Sequence, residues 1–209
     1  MSPRLSPFLL PLALFLGLAL YQLALPGPNY DEAVEAKAAV QLLGGQPVEA
    51  HRQAVARVGG RSLPLMIVDY VGALNTYALL ALFKLGGVSV ITLRLWPVAV
   101  AAAILWLTYR LAQALAGPRA ALLAALILAV HPSFLFFARQ GIYVTNTTIA
   151  FMLAILLALW RLAGDGRLRW WYGAAFLAGL GLWAKFIMLW PLAALAILAP
   201  LVWWGRRWF

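Results

Sequence analysis

The sequence predicts an all-α fold, a set of helices that cross a membrane several times, and two observations predict it. Apolar residues make up 65% of the chain and charged residues only 11%, whereas a water-soluble domain is nearer half and a quarter. These apolar residues gather into runs that approach the ~20 residues a membrane helix needs. The 16 Lys and Arg residues, against six acids, stand singly or in pairs between the runs. A nucleic-acid-binding domain would collect them on one face of a soluble fold, so the charge is read as membrane topology and no nucleic acid is expected as a partner. With no cysteine in the chain, neither a disulfide framework nor a thiolate metal site is available.

The elements follow in order. Residues 7–25 are read as a retained anchor rather than a signal peptide, because the run is long and no clear small-x-small cleavage site follows. Later candidates are 64–86, 92–110, 119–137, 142–160, 170–184 and 187–204. Basic residues in short loops stay cytoplasmic. If 64–86 does not cross, Arg4, Arg110, Arg119, Arg161, Arg167, Arg169, Arg206 and Arg207 all fall inside; if it does, every basic turn after it lands outside. Six crossings are therefore expected, with residues 26–91 forming a long outer loop. Within that loop 64–86, which carries Asp69, Asn75 and Lys84, suits a helix lying in the interface. The stretch 170–204 would run ~52 Å as one helix, too long for a single ~30 Å crossing. It is read as two short helices that break near Lys185, and His131–Pro132 as a helix end. No internal repeat or second domain is evident, so residues 1–209 are taken as one module.

Three of the six acids, Asp31, Glu32 and Glu35, fall within five positions in NYDEAVEAKAAVQLLGG, just after the first apolar run. Asn29 can cap a helix there, with Glu32 completing a capping box, and Gly44–Gly45 would stop it. On that basis Asp31 and Glu32 are first-turn acids stabilised by the helix dipole. Their place at a low-dielectric boundary supports a second reading, in which a carboxylate serves as a general base. Isolated cations share the expected outer face: Arg61 in GRSLPLM, Arg139 in FFARQG and Lys185 in GLWAKF. Snorkelling to lipid headgroups would account for Arg139 and Lys185 one at a time. Three cations converging with an acid pair describe a site for a phosphorylated, membrane-borne substrate with a base beside it.

The order of these features, through RLWPVAVAAAILWLTYRLAQALAGPRAALLAALILAVHPSFLFFARQGIYVTN to GLGLWAKF, resembles the GT-C glycosyltransferases. The likeness is greatest to the branch holding protein O-mannosyltransferases and the lipid A aminoarabinose transferase. The resemblance implies sugar transfer from a polyprenyl-phosphate carrier to an acceptor outside a cell membrane. It implies Asp31 as the base that takes the acceptor proton, Glu32 as its companion, and Arg61, Arg139 and Lys185 as holders of the donor phosphate. Many members place an aspartate shortly after the second-loop arginine, where this chain has Thr145 and Asn146. A divalent cation would then lack hard anionic ligands from a second loop, so no metal and no cofactor is expected. Members of the family usually run on for several more spans, which raises the expectation of a second membrane chain as partner beside the donor and the lipids.

Two other readings compete. A non-catalytic relative would bind lipid-linked sugar or scaffold a partner chain. A small transporter would show helix-interrupting Gly and Pro in paired, repeated segments, and none are visible. His51 and His131 are isolated, and paired tryptophans such as Trp170–Trp171 and Trp203–Trp204 suit aromatic belts at span ends. Asn146–Thr148 forms a glycosylation sequon, a tripeptide of low information.

Overall fold

The computed structural model describes residues 7–25, 27–48, 50–140 and 145–205. Arg4, Arg206 and Arg207, used in the topology reading, lie outside the described residues, and so do the side chains of Arg61, Trp203 and Trp204. Helices dominate. They are α1 (Leu9–Leu20), α2 (Tyr30–Leu43), α3 (Leu74–Gly86), α4 (Val90–Val130), α5 (Pro132–Arg139), α6 (Thr145–Asp165), α7 (Leu168–Ala184) and α8 (Leu189–Gly205). Helix α4 and Asn146–Asp165 of α6 are long and apolar enough to cross a membrane, while α1, α3 and Phe186–Leu198 are apolar but shorter.

Helix α4 is not one straight rod. Gly117 takes φ 86°, ψ 178° in its middle, a backbone state open to glycine, and Pro118 behind it donates no hydrogen bond. On the near side of that break Val98, Ala101, Leu105 and Tyr109 share one core with Ala121, Ala125 and Ala129 on the far side. Val98 and Ala129 would be about 46 Å apart along a straight helix, so the two arms fold back on each other. The alanines at every fourth position allow the close approach. Helix α1 closes this core with Phe15 and Ala19, and the ring of Phe8, just ahead of the helix, stands 5.3 Å from that of Tyr109. The expected run 119–137 instead stops at Val130, because His131 precedes Pro132 and leaves the helix at ψ 123°. The residue before a proline is pushed out of the α region.

A second core joins α6, α7 and the turn before α8 through Ile155, Ala158, Ala174 and Met188, with Leu192 and Leu195 of α8 packed against it. Stretch 170–204 breaks where expected: Lys185, at φ −161°, ends α7, and a 3-10 turn at Phe186–Met188 leads into α8.

The expected interfacial helix over 64–86 needs correction. Helix begins only at Leu74, and four short strands precede it. Strands β1 (Val55–Val58) and β2 (Arg61–Pro64) pair antiparallel across Gly59 and Gly60, both at positive φ. Two such residues are what a tight type I′ hairpin requires. Strands β3 (Met66–Val68) and β4 (Val71–Gly72) form a second, irregular hairpin. The stretch 26–91 is thus part strand, and the all-α expectation holds for the rest of the described chain.

Candidate active site

The first turn of α2 is built as the sequence implies. Asn29 adopts an extended conformation, and its side chain accepts a hydrogen bond from the Glu32 amide at 2.9 Å. The Asn29 amide donates back to Glu32 Oε2 at 2.9 Å, completing the capping box. What the sequence does not announce is the partner. Glu32 is 0% exposed and Arg94, five residues into α4, is 2% exposed. Arg94 Nε donates to Glu32 Oε1 at 2.7 Å and Nη2 to Oε2 at 2.8 Å. The same guanidinium donates to the Leu23 carbonyl at 2.8 Å and the Gly27 carbonyl at 3.2 Å. A buried carboxylate is tolerated only when paired and hydrogen-bonded, and the planar fork of arginine suits a two-point grip. The link from α1 to α2 is therefore wrapped around one cation, and Asp31, half-buried beside it, is held at the positive end of the helix.

Two further groups meet α2. Asn29 Nδ2 donates to Gln140 Oε1 at 3.2 Å, which brings the end of α5 to the helix cap. There Arg139 Nη2 donates to the carbonyls of Tyr21 at 2.6 Å and Gln22 at 3.2 Å. Among the described residues its Nε, shielded from solvent, meets no acceptor.

Lys185 sits in the break after α7, fastened from several sides. Its backbone bridges Val71 of β4, and Phe186 N donates to Tyr70 O at 3.0 Å. Trp183 Nε1 donates to Leu65 O at 2.9 Å. Gly72 lies so close to Trp183 that an added Cβ would fall 1.8 Å from the Trp183 carbonyl oxygen. Through these contacts the second hairpin positions the lysine, whose ammonium lies 5.5 Å from the Tyr70 ring centre. Burial pushes the Lys185 pKa below its ordinary value, and the negative charge of Glu35 opposes the shift.

Glu35, one turn beyond Asp31, faces inward. It lines one small pocket with Asn75, Trp96 and Thr147, and a second with Ile67, Val71, Gly72 and Thr76. Asn75 Oδ1 accepts from both Trp96 Nε1 at 3.0 Å and Thr147 Oγ1 at 3.2 Å. Next to this polar knot runs an open apolar groove of about 470 Å³ between α3, α4 and α6, bounded by Tyr77, Trp96, Val100, Thr147 and Phe151.

Of the residues named from sequence, Asp31 and Glu32 open α2, Arg139 reaches its cap through the neighbouring Gln140, and Lys185 meets β4, the strand that Glu35 of the second turn also approaches. Arg61 opens β2, and its side chain is outside the description. Sequence reasoning missed Arg94 and left Glu35 without a task. Arg94 carried a signal: a cation inside an apolar helix demands a counter-charge, and acids are scarce in this chain. Among the described residues no three His, Asp or Glu side chains are grouped to hold a metal ion.

Residues 73–209 match the family model for dolichyl-phosphate-mannose-protein mannosyltransferases. No curated protein and no solved structure matches the chain.

Proposed function

Since the chain belongs to the dolichyl-phosphate-mannose-protein mannosyltransferase family, we propose that it transfers a sugar from a polyprenyl-phosphate donor at the outer face of a cell membrane. The observation that carries this reading beyond the family is the clamped start of α2. It sets Asp31 in the first turn of a helix whose cap bonds Gln140 and whose second turn carries Glu35 to β4, the strand that also meets Lys185. Residues 29 and 35 are about 9 Å apart along the axis, a span that a sugar phosphate bridges.

In this mechanism the Asp31 carboxylate takes the proton from an acceptor hydroxyl. The freed oxygen forms a bond to the sugar's anomeric carbon as the bond from that carbon to the phosphate oxygen breaks. The bonding pair leaves with the phosphate, and a single displacement inverts the anomeric centre. Arg139 and Lys185, with Arg61 from the first hairpin, stabilise the charge that gathers on the departing phosphate. Such a leaving group is already good, so positioned cations and one base suffice without metal. Glu32 does not reach the acceptor; it fixes Asp31 through Arg94. The apolar groove beside Asn75 fits the first prenyl units of the carrier.

A direct test follows labelled polyprenyl-phosphate mannose in membranes holding the chain and any partner chain. Transfer should persist after chelation. Lys185→Ala should weaken donor binding on the order of tenfold, the size expected from losing one charge partner in a partly screened site. Activity that vanishes on chelation and returns with manganese refutes the metal-free mechanism. Donor binding without any transfer would favour a non-catalytic subunit that presents lipid-linked sugar to a partner.

A further inference from the structure

Glu35 is unusual among the acids here, because it shares a helix face with Asp31 one turn away yet has no part in the displacement. It lines both small pockets, and the wall of the second is the β3–β4 hairpin at Ile67, Val71 and Gly72. Val71 is the residue bridged to Lys185, and Gly72 is pressed against Trp183. Carboxylate and ammonium therefore approach the same short strand, one from α2 and the other from the break after α7. A half-buried ammonium needs a counter-charge, which Glu35 supplies in addition to the Tyr70 ring. A bound lipid phosphate would supply the same charge.

We infer that Glu35 is a positioning residue that competes with the lipid phosphate for Lys185, holding the ammonium while the site is empty and reclaiming it as the spent carrier leaves. The inference rests on the donor class proposed above. Its chemical basis is a change in charge during the reaction. The donor is a phosphodiester with one negative charge, whereas the spent carrier is a monoester whose charge at neutral pH approaches two. The product thus grips the cations harder than the substrate did. A carboxylate poised to retake one of them speeds its release, and the Asn75 knot keeps that carboxylate's surroundings polar when it is displaced.

The test measures farnesyl phosphate binding to the full chain in nanodiscs. Glu35→Gln should tighten binding on the order of tenfold, the size expected from removing one competing charge in a partly screened site. Glu35→Asp, which keeps the charge, should bind near the wild-type level. In a Lys185→Met background the tightening by Glu35→Gln should disappear. A role in structure alone would loosen binding, so the sign separates the two. Unchanged or weaker binding by Glu35→Gln, equal tightening by Glu35→Asp, or tightening that survives without Lys185 would each overturn the inference while leaving the donor class intact. A wild-type chain that binds no farnesyl phosphate would remove the donor class, and this inference with it.

Discussion

At the scale of single residues, Asp31 and Glu32 are neighbours with opposite environments. Asp31 is half-exposed at the helix mouth, while Glu32 is sealed against Arg94. If Asp31 is the base, Asp31→Asn should reduce transfer about 10²–10⁴-fold and leave donor affinity nearly intact, since other residues hold the phosphate. If it serves only the helix dipole, the same change costs about 0.3–1 kcal/mol of stability and turnover survives. Single-turnover kinetics in native membranes separates the two outcomes. Arg94→Leu makes a different demand. It strands a buried carboxylate and should lower unfolding stability by about 3–5 kcal/mol, read as a fall in melting temperature in detergent. Pairing it with Glu32→Gln should recover much of that loss, since no charge is then left alone. A melting temperature unchanged by Arg94→Leu would mean the ion pair does not hold the cap. The capping box was legible because its residues are local, three apart. The Arg94 pairing was not, because its partners lie 62 positions apart and periodicity carries no information over that distance.

At the scale of elements, the second hairpin and the break after α7 form one unit. Gly72 marks where they touch, and a methyl group there would collide with the Trp183 backbone. Backbone on both sides cannot yield as a flexible side chain would, so Gly72→Ala should push β4 off the break. The expected result is weakened donor binding with an intact helical circular dichroism spectrum, because Lys185 loses its bridge to Val71 while α7 keeps its own hydrogen bonds. Donor affinity equal to wild type would show that the hairpin does not place the lysine. The first hairpin was in the sequence, whereas the second was masked by hydropathy. VARV-GG-RSLP has two glycines between alternating short runs, the mark of a two-residue hairpin. The apolar residues of 64–86 suggested one helix, although Pro64 and Gly72 made its first half a poor one. The break at Lys185 was legible for a simpler reason: 35 residues are too long for one crossing and short for two.

At the scale of the whole molecule, charge asymmetry argues that residues 29–91 and Lys185 face outward and the turn after α6 faces the cytoplasm. That turn is itself ordered: Asp165 accepts from Trp170 Nε1 at 2.9 Å, and Arg161 and Arg169 stack on the same ring. Since the chain lacks cysteine, single substitutions label cleanly. Gln46→Cys should react with an impermeant thiol reagent from outside, and Arg167→Cys only from within. The reverse pattern would invert the site. The ion pair between α2 and α4 also has a meaning in time. Glu32 leaves the ribosome 62 residues before Arg94, a delay of roughly 3–12 s at ordinary rates of synthesis. During that interval the carboxylate waits at the membrane surface in contact with water, because burying it alone would be costly. Only when the first arm of α4 arrives can the helix cap lock. Although α2 is made before α4, the proposed catalytic aspartate acquires its fixed position only afterwards, under the control of the helix that follows it.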